Sequence, residues 1–216
     1  MMELEYVLPA DIEKRSFEII KSELGDKFIP VEIRSVVLRA IHTTADFDYA
    51  DNLYFSDGVM NKAMELLKNG AVIVTDTNMA RSGINKKALS QLGCRVECFM
   101  ADEDIAETAK ANGTTRASAS VDKAASICEP VIYAVGNAPT ALVRLCDHIR
   151  DKSFIPQLVI GAPVGFVNVV QSKEMIIESG VPCIVARGRK GGSNVAAAIC
   201  NALMYKAISE IKENDI

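Results

Sequence analysis

Ala71-Val72-Ile73-Val74-Thr75-Asp76-Thr77-Asn78-Met79-Ala80-Arg81-Ser82-Gly83 passes from a short apolar, largely β-branched run straight into a polar stretch. Four such residues beside turn-forming chemistry read as a strand buried on both faces. The same form recurs at residues 94–99, 131–135, 158–160 and 183–185. Between these runs, residues 85–92, 103–111, 116–128, 139–149 and 173–179 carry helical patterns, and residues 192–212 form a last helix. Short strands alternating with longer helices give an open parallel sheet of about five strands, and right-handed crossovers put helices on both of its faces, a three-layer α/β/α arrangement.

Upstream of residue 71 the pattern is helical. Ile12, Phe17, Ile19, Ile20 and Leu24 suit an amphipathic helix over residues 11–24, started by Pro9 and Asp11 and stopped by Gly25. Ile33, Val36, Val37, Ala40 and Ile41 define a second helix. Residues 51–56 read as an irregular loop or a short strand, and Ser56 as the cap of a helix over residues 57–68. The 216 residues are expected to form one domain, with a helical part at about 10–70 and a parallel α/β part at about 71–213.

Composition narrows the function. Hydrophobic residues make up 49% of the chain, enough for a substantial core, and the formal charge of −4 gives no overall attraction to nucleic acid or to an anionic membrane. An anionic ligand must therefore be met by locally placed Arg and Lys. No apolar stretch approaches the ~18 residues of a membrane span, and Met1-Met2-Glu3-Leu4-Glu5 lacks a secretion signal. The six scattered cysteines contain no CxxC pair and read as buried thiols in a reducing cytoplasm, and two His residues are too few for a zinc site.

The unusual residues gather where the strands end. Thr75–Gly83 follows the first run, Gly136-Asn-Ala-Pro-Thr140 the third, Gly161-Ala-Pro-Val-Gly-Phe-Val-Asn168 the fourth and Arg187-Gly-Arg-Lys-Gly-Gly-Ser193 the fifth. Loops at the carboxyl ends of parallel strands line the ligand crevice. Gly lets backbone N–H groups approach a ligand, a helix N-terminus favours an anion, and Arg adds bidentate contacts, so such loops suit carboxylate or phosphate. The bland alternatives are a tight turn with Ser193 as a helix cap, and Thr114 or Thr115 as the cap of the helix that starts near Arg116. His42 emerges near the end of the second helix, with Asp46 and Asp48 just beyond. An imidazole beside carboxylates can serve as a general acid, although a histidine capping a helix with two solvated carboxylates is the plainer reading. His148, among charged neighbours, reads as a surface residue. No metal-ligand spacing, nucleophile triad motif, GxGxxG fingerprint or phosphate-binding P-loop is present.

Seven stretches in order resemble the precorrin-8X methylmutase family of cobalamin biosynthesis: Arg15-Ser16-Phe17; Ile41-His42-Thr43-Thr44-Ala45-Asp46-Phe47-Asp48; Thr75-Asp76-Thr77-Asn78-Met79; Thr115-Arg116; Gly136-Asn137-Ala138-Pro139-Thr140-Ala141-Leu142; Pro163-Val164-Gly165-Phe166-Val167 with Ser172-Lys173; and Arg187 to Ser193. The chain departs from the pattern at Ala117, which stands between Arg116 and Ser118. The resemblance implies a flavodoxin-like fold and an isomerase that moves a methyl group from C-11 to C-12 of a corrin precursor, with or without cobalt. It also implies no cofactor and a homodimer that binds the tetrapyrrole near its interface. His42 would be the general acid. Thr43, Asp46 and Asp48 would orient or tune it. Arg15, Ser16, Thr77, Arg116, Arg189, Lys190 and Ser193 would hold carboxylates or ring edges, and Gly165 would shape the wall. The rival is a flavodoxin-like protein that only binds a tetrapyrrole or a nucleotide.

Overall fold

The structure is a computed structural model that describes residues 4–214. After a short 3-10 turn the elements run α1 Ile12–Leu24, α2 Val31–Thr44, α3 Tyr49–Asn52, β1 Leu53–Phe55, α4 Val59–Lys68, β2 Val72–Thr75, α5 Asn78–Gly83, α6 Lys86–Gln91, β3 Arg95–Glu97, α7 Glu103–Ala111, α8 Arg116–Ala124, β4 Val131–Val135, α9 Pro139–Asp151, β5 Leu158–Gly161, α10 Val169–Glu178, β6 Cys183–Ala186 and α11 Ser193–Asn214. The five expected strands are all there and pair in parallel, in the order β6-β5-β4-β2-β3. A sixth strand, β1, joins antiparallel to β6, so residues 51–56 contribute a short edge strand.

Side-chain alternation along the strands builds the three layers. Ile73, Ile132, Ile160 and Ile184 point to one face, where they pack with Val37 and Ile41 of α2, Leu67 of α4 and Ile199 and Leu203 of α11. Val74, Tyr133, Val159 and Val185 point to the other, against Val121 of α8, Leu142 and Leu145 of α9 and Ile176 of α10. Residues one apart in a strand face opposite sides, so a run that is apolar throughout can be satisfied only by helices on both. β2, β4, β5 and β6 are buried at every position for that reason.

Three local expectations change. Ser56 does not cap α4: Gly58 does, at φ +68°, while the Ser56 hydroxyl accepts a 2.9 Å bond from Cys183 N and ties β1 to β6. The polar stretch after β2 is partly helical, because Thr77 caps α5 by accepting from Ala80 N. Cys128 is exposed, whereas the other five thiols are buried. None of the described helices is long and apolar enough to cross a membrane.

Close backbone approach fixes the rim. A Cβ at Gly136 would stand 2.6 Å from Ser193 Cα, and one at Gly191 would collide with the Ala162 carbonyl. The loops after β4, β5 and β6 are therefore in direct backbone contact. Gly136→Ala overpacks this junction and is expected to cost about 1–3 kcal/mol, read as a lower urea midpoint; an unchanged midpoint would contradict the packing described.

Candidate active site

The strand order reverses between β2 and β4, since the chain goes from β2 outward to β3 and then returns to the other side. In an open α/β sheet this switch point opens the ligand crevice. Here its floor is occupied by the protein itself. Asp76, 1% exposed, accepts bonds from Gly136 N at 2.8 Å, Asn137 N at 2.8 Å and Ala138 N at 2.7 Å. Burial pushes its carboxyl above the ordinary range, and the three N–H donors pull it back. The backbone amides that could cradle a nucleotide phosphate ahead of α9 thus already hold a carboxylate. This geometry counts against the nucleotide-binding alternative.

Above that floor the loops join. Thr77 Oγ1 and Ser193 Oγ are 2.8 Å apart, linking the end of β2 to the start of α11. Gly192 N donates to Ala162 O at 2.8 Å and Gly165 N to Arg189 O at 3.1 Å, which locks the β5 and β6 loops together. Arg189 lies over the Phe166 ring, 5.5 Å from its centroid. Thr115 caps α8 as expected, and its hydroxyl meets Thr140 Oγ1 at 2.9 Å, which brings Arg116 to the β4 loop. Among the described residues no carboxylate pairs with the guanidinium groups of Arg81, Arg116 or Arg189, and all three residues are exposed.

His42 sits in the last turn of α2, half-buried, with its ring 5.1 Å from that of Phe17 on α1. Ala45 ends the helix at φ +53°, and Thr44 Oγ1 accepts from Asp46 N, so the chain turns sharply beyond it. That turn sends the two nearby carboxylates elsewhere: Lys190 Nζ is 2.6 Å from Asp46 Oδ2 and 2.7 Å from Asp48 Oδ2. Asp46 and Asp48 therefore anchor the basic loop of β6 to the end of α2, instead of tuning His42 by direct contact. Among the described residues nothing hydrogen-bonds the His42 ring. Thr43 is half-buried beside it.

Not every candidate converges. Arg15 is held by Glu5 at 2.6 Å and Glu18 at 3.7 Å, so its guanidinium is already matched, while Ser16 is half-buried on the same helix. His148 is half-buried and engaged: its ring bridges Asp122 and Ser153 at 2.7 Å each and staples α8 to the end of α9. Asp76 and Lys173 are further functional-site residues, fully buried at the rim and outside the candidates expected from sequence. Their signal was present, a charge at the end of an all-apolar strand and a lysine at a core position of a helix.

A mainly parallel open sheet with helices on both faces, and Gly- and Arg-rich loops at the carboxyl ends of its strands, define a flavodoxin-like α/β protein. The chain belongs to the precorrin-8X methylmutase family, isomerases of cobalamin biosynthesis that move a methyl group within their substrate: the family profile matches residues 11–206. It is 42% identical over 203 residues to the cobalt-precorrin-8 methylmutase of Salmonella typhimurium, covering 91% of this chain and 95% of that one. It is 41% identical over 205 residues to that of Leptospira interrogans, covering 91% and 93%. Among solved structures it is similar to the precorrin-8X methylmutase of Thermus thermophilus, with a TM-score of 0.84 at 37% identity, covering 93% of this chain and 98% of that one.

The Lys190 ion pair holds the Asp46 carboxyl below its ordinary 3.8, chiefly through the hydrogen bond to Lys190. A carboxyl with a depressed folded pKa stabilises the folded state above 3.8 and loses that contribution as pH falls through its folded value. The Asp46 carboxyl carbon should therefore titrate below 3.8 by NMR, and Lys190→Met should move the midpoint upward. An unmoved midpoint would mean that the tie between loop and helix is not formed.

Proposed function

We propose that the rim binds an acidic corrin precursor and that His42 is the general acid for migration of its methyl group from C-11 to C-12. The observation that carries this reading is the His42 imidazole itself, in the final turn of α2 and, among the described residues, without a hydrogen-bond partner. The ring donates a proton to a macrocycle nitrogen, the resulting electron demand draws the methyl group to the neighbouring carbon as the new conjugated system forms, and the macrocycle then returns a proton to the imidazole, so that substrate and product are isomers and His42 is restored. No oxidation or added group is required, because one C–C bond breaks and one forms within the substrate.

Recognition follows from charge and shape. Arg116 and Arg189 take peripheral carboxylates as bidentate partners, and Arg81 adds a third guanidinium at the same rim. Thr77 and Ser193 offer hydroxyls to ring-edge groups. Met79 at the start of α5 and Val164, Phe166 and Val167 on the β5 loop are exposed apolar side chains, which suits the flat face of a macrocycle. The two relatives with 41% and 42% identity are named for cobalt-precorrin-8, which supports the cobalt form as the natural substrate. The protein works as a homodimer in the cytoplasm. Exposed Leu4, Tyr6, Leu8 and Ile12 along the first segment support the former, and six free thiols the latter.

His42→Ala is expected to lower turnover at least 100-fold, the usual worth of a positioned acid, while binding of the product, hydrogenobyrinic acid or its cobalt form, stays within a few-fold in an absorbance titration. Near-normal turnover would remove His42 from the mechanism, and saturable binding without turnover in the wild type would favour a carrier.

A further inference from the structure

α10 buries Val169, Ser172, Lys173 and Ile176, positions that fall on one helical face. Lys173 thus holds a core position where an aliphatic side chain is the usual occupant, and it is 0% exposed. Its ammonium donates to Gly188 O and to Lys190 O, both at 2.8 Å. Those carbonyls flank Arg189 in the basic loop. Drawing both inward turns the intervening residue outward, where its guanidinium lies over the exposed Phe166 ring. A hydrocarbon at position 173 would leave two carbonyls without a donor, a condition that folded proteins avoid.

The charges around this ammonium do not cancel. Glu174, its neighbour on α10, is committed to Arg187 at 2.9 Å, and Lys190 is committed to Asp46 and Asp48. Among the described residues Lys173 and Arg189 have no carboxylate within ion-pair distance. Desolvation pushes the Lys173 ammonium down to about 8, with Glu174 opposing the shift. A buried cation without a counter-charge is costly, and it stands directly beneath a loop that presents a second uncompensated cation to solvent.

We propose that Lys173 is a positioning residue of the substrate site: it sets the Arg187–Ser193 loop by holding two of its carbonyls and, with Arg189, forms a cationic pair whose counter-charge is a carboxylate of the ligand. The inference rests on the methylmutase reading of the rim and adds to it the group that shapes its basic loop. A carboxylate seated on Arg189 lies one peptide layer from the ammonium, in a medium where the attraction is screened far less than in water. Lys173 touches no substrate atom and acts through the loop.

Lys173→Met fills the volume without the charge, and Lys173→Gln keeps a donor for the carbonyls without the charge. Each is purified as the full chain, checked by circular dichroism, and titrated with hydrogenobyrinic acid and with its fully esterified, uncharged derivative. The expected result is a 10- to 100-fold loss of affinity for the acid with at most a few-fold loss for the ester. Lys173→Gln carries the test if Lys173→Met does not fold. Wild-type affinity for the acid in a folded variant overturns the proposal, and so does an equal loss for acid and ester, which would make Lys173 a packing residue only. If the wild-type protein binds neither compound nor their cobalt forms, the methylmutase reading of the rim fails first.

Discussion

A sheet buried on both faces leaves the chain one place for polar chemistry, the rim where its strands end. β2, β4, β5 and β6 expose nothing along their length, so a functional side chain on them would have to be buried in hydrocarbon. The carboxyl-end loops inherit the task. They are drawn so close together that Gly136 and Gly191 have no room for a side chain. Loops in backbone contact form a surface that moves as one piece, which suits recognition of a large rigid ligand.

Two fully buried charges organise this surface from below, with opposite signs and complementary partners. Asp76 gathers three backbone N–H groups of the β4 loop, and Lys173 gathers two carbonyls of the β6 loop. Each satisfies backbone groups that a tight turn cannot pair for itself. Their consequences differ. The carboxylate fills the cradle that a phosphate would need, which turns the switch point away from nucleotides. The ammonium leaves the loop above it richer in positive charge, which favours an acid.

His42 occupies a different kind of position. It lies on a helix of the outer layer, one turn before an αL residue that ends the helix, and it owes its place to α2 packing on α11 and α1. The Lys190 bridge to Asp46 and Asp48 joins that helix end to the rim, so His42 and the basic loop are held in one frame. An ion pair in this setting contributes registration more than stability, because its members remain open to solvent.

Apolar periodicity and resemblance together made the layers, the five parallel strands, most helix limits and the family legible, because burial acts on each segment locally and leaves its period in the sequence. The concentration of Gly, Asn, Thr and Arg after the strands pointed to the rim for the same reason. What the tertiary structure alone decided was the pairing of charges. Asp46 and Asp48 stand close to His42 in sequence yet serve Lys190, some 140 residues away, and Arg15 pairs with Glu5. Asp76 and Lys173 take their donors and acceptors from other loops, which their own segments do not name. A charge finds its partner across space, through whichever chain segment the packing brings within ion-pair reach, and no local pattern records which segment that will be.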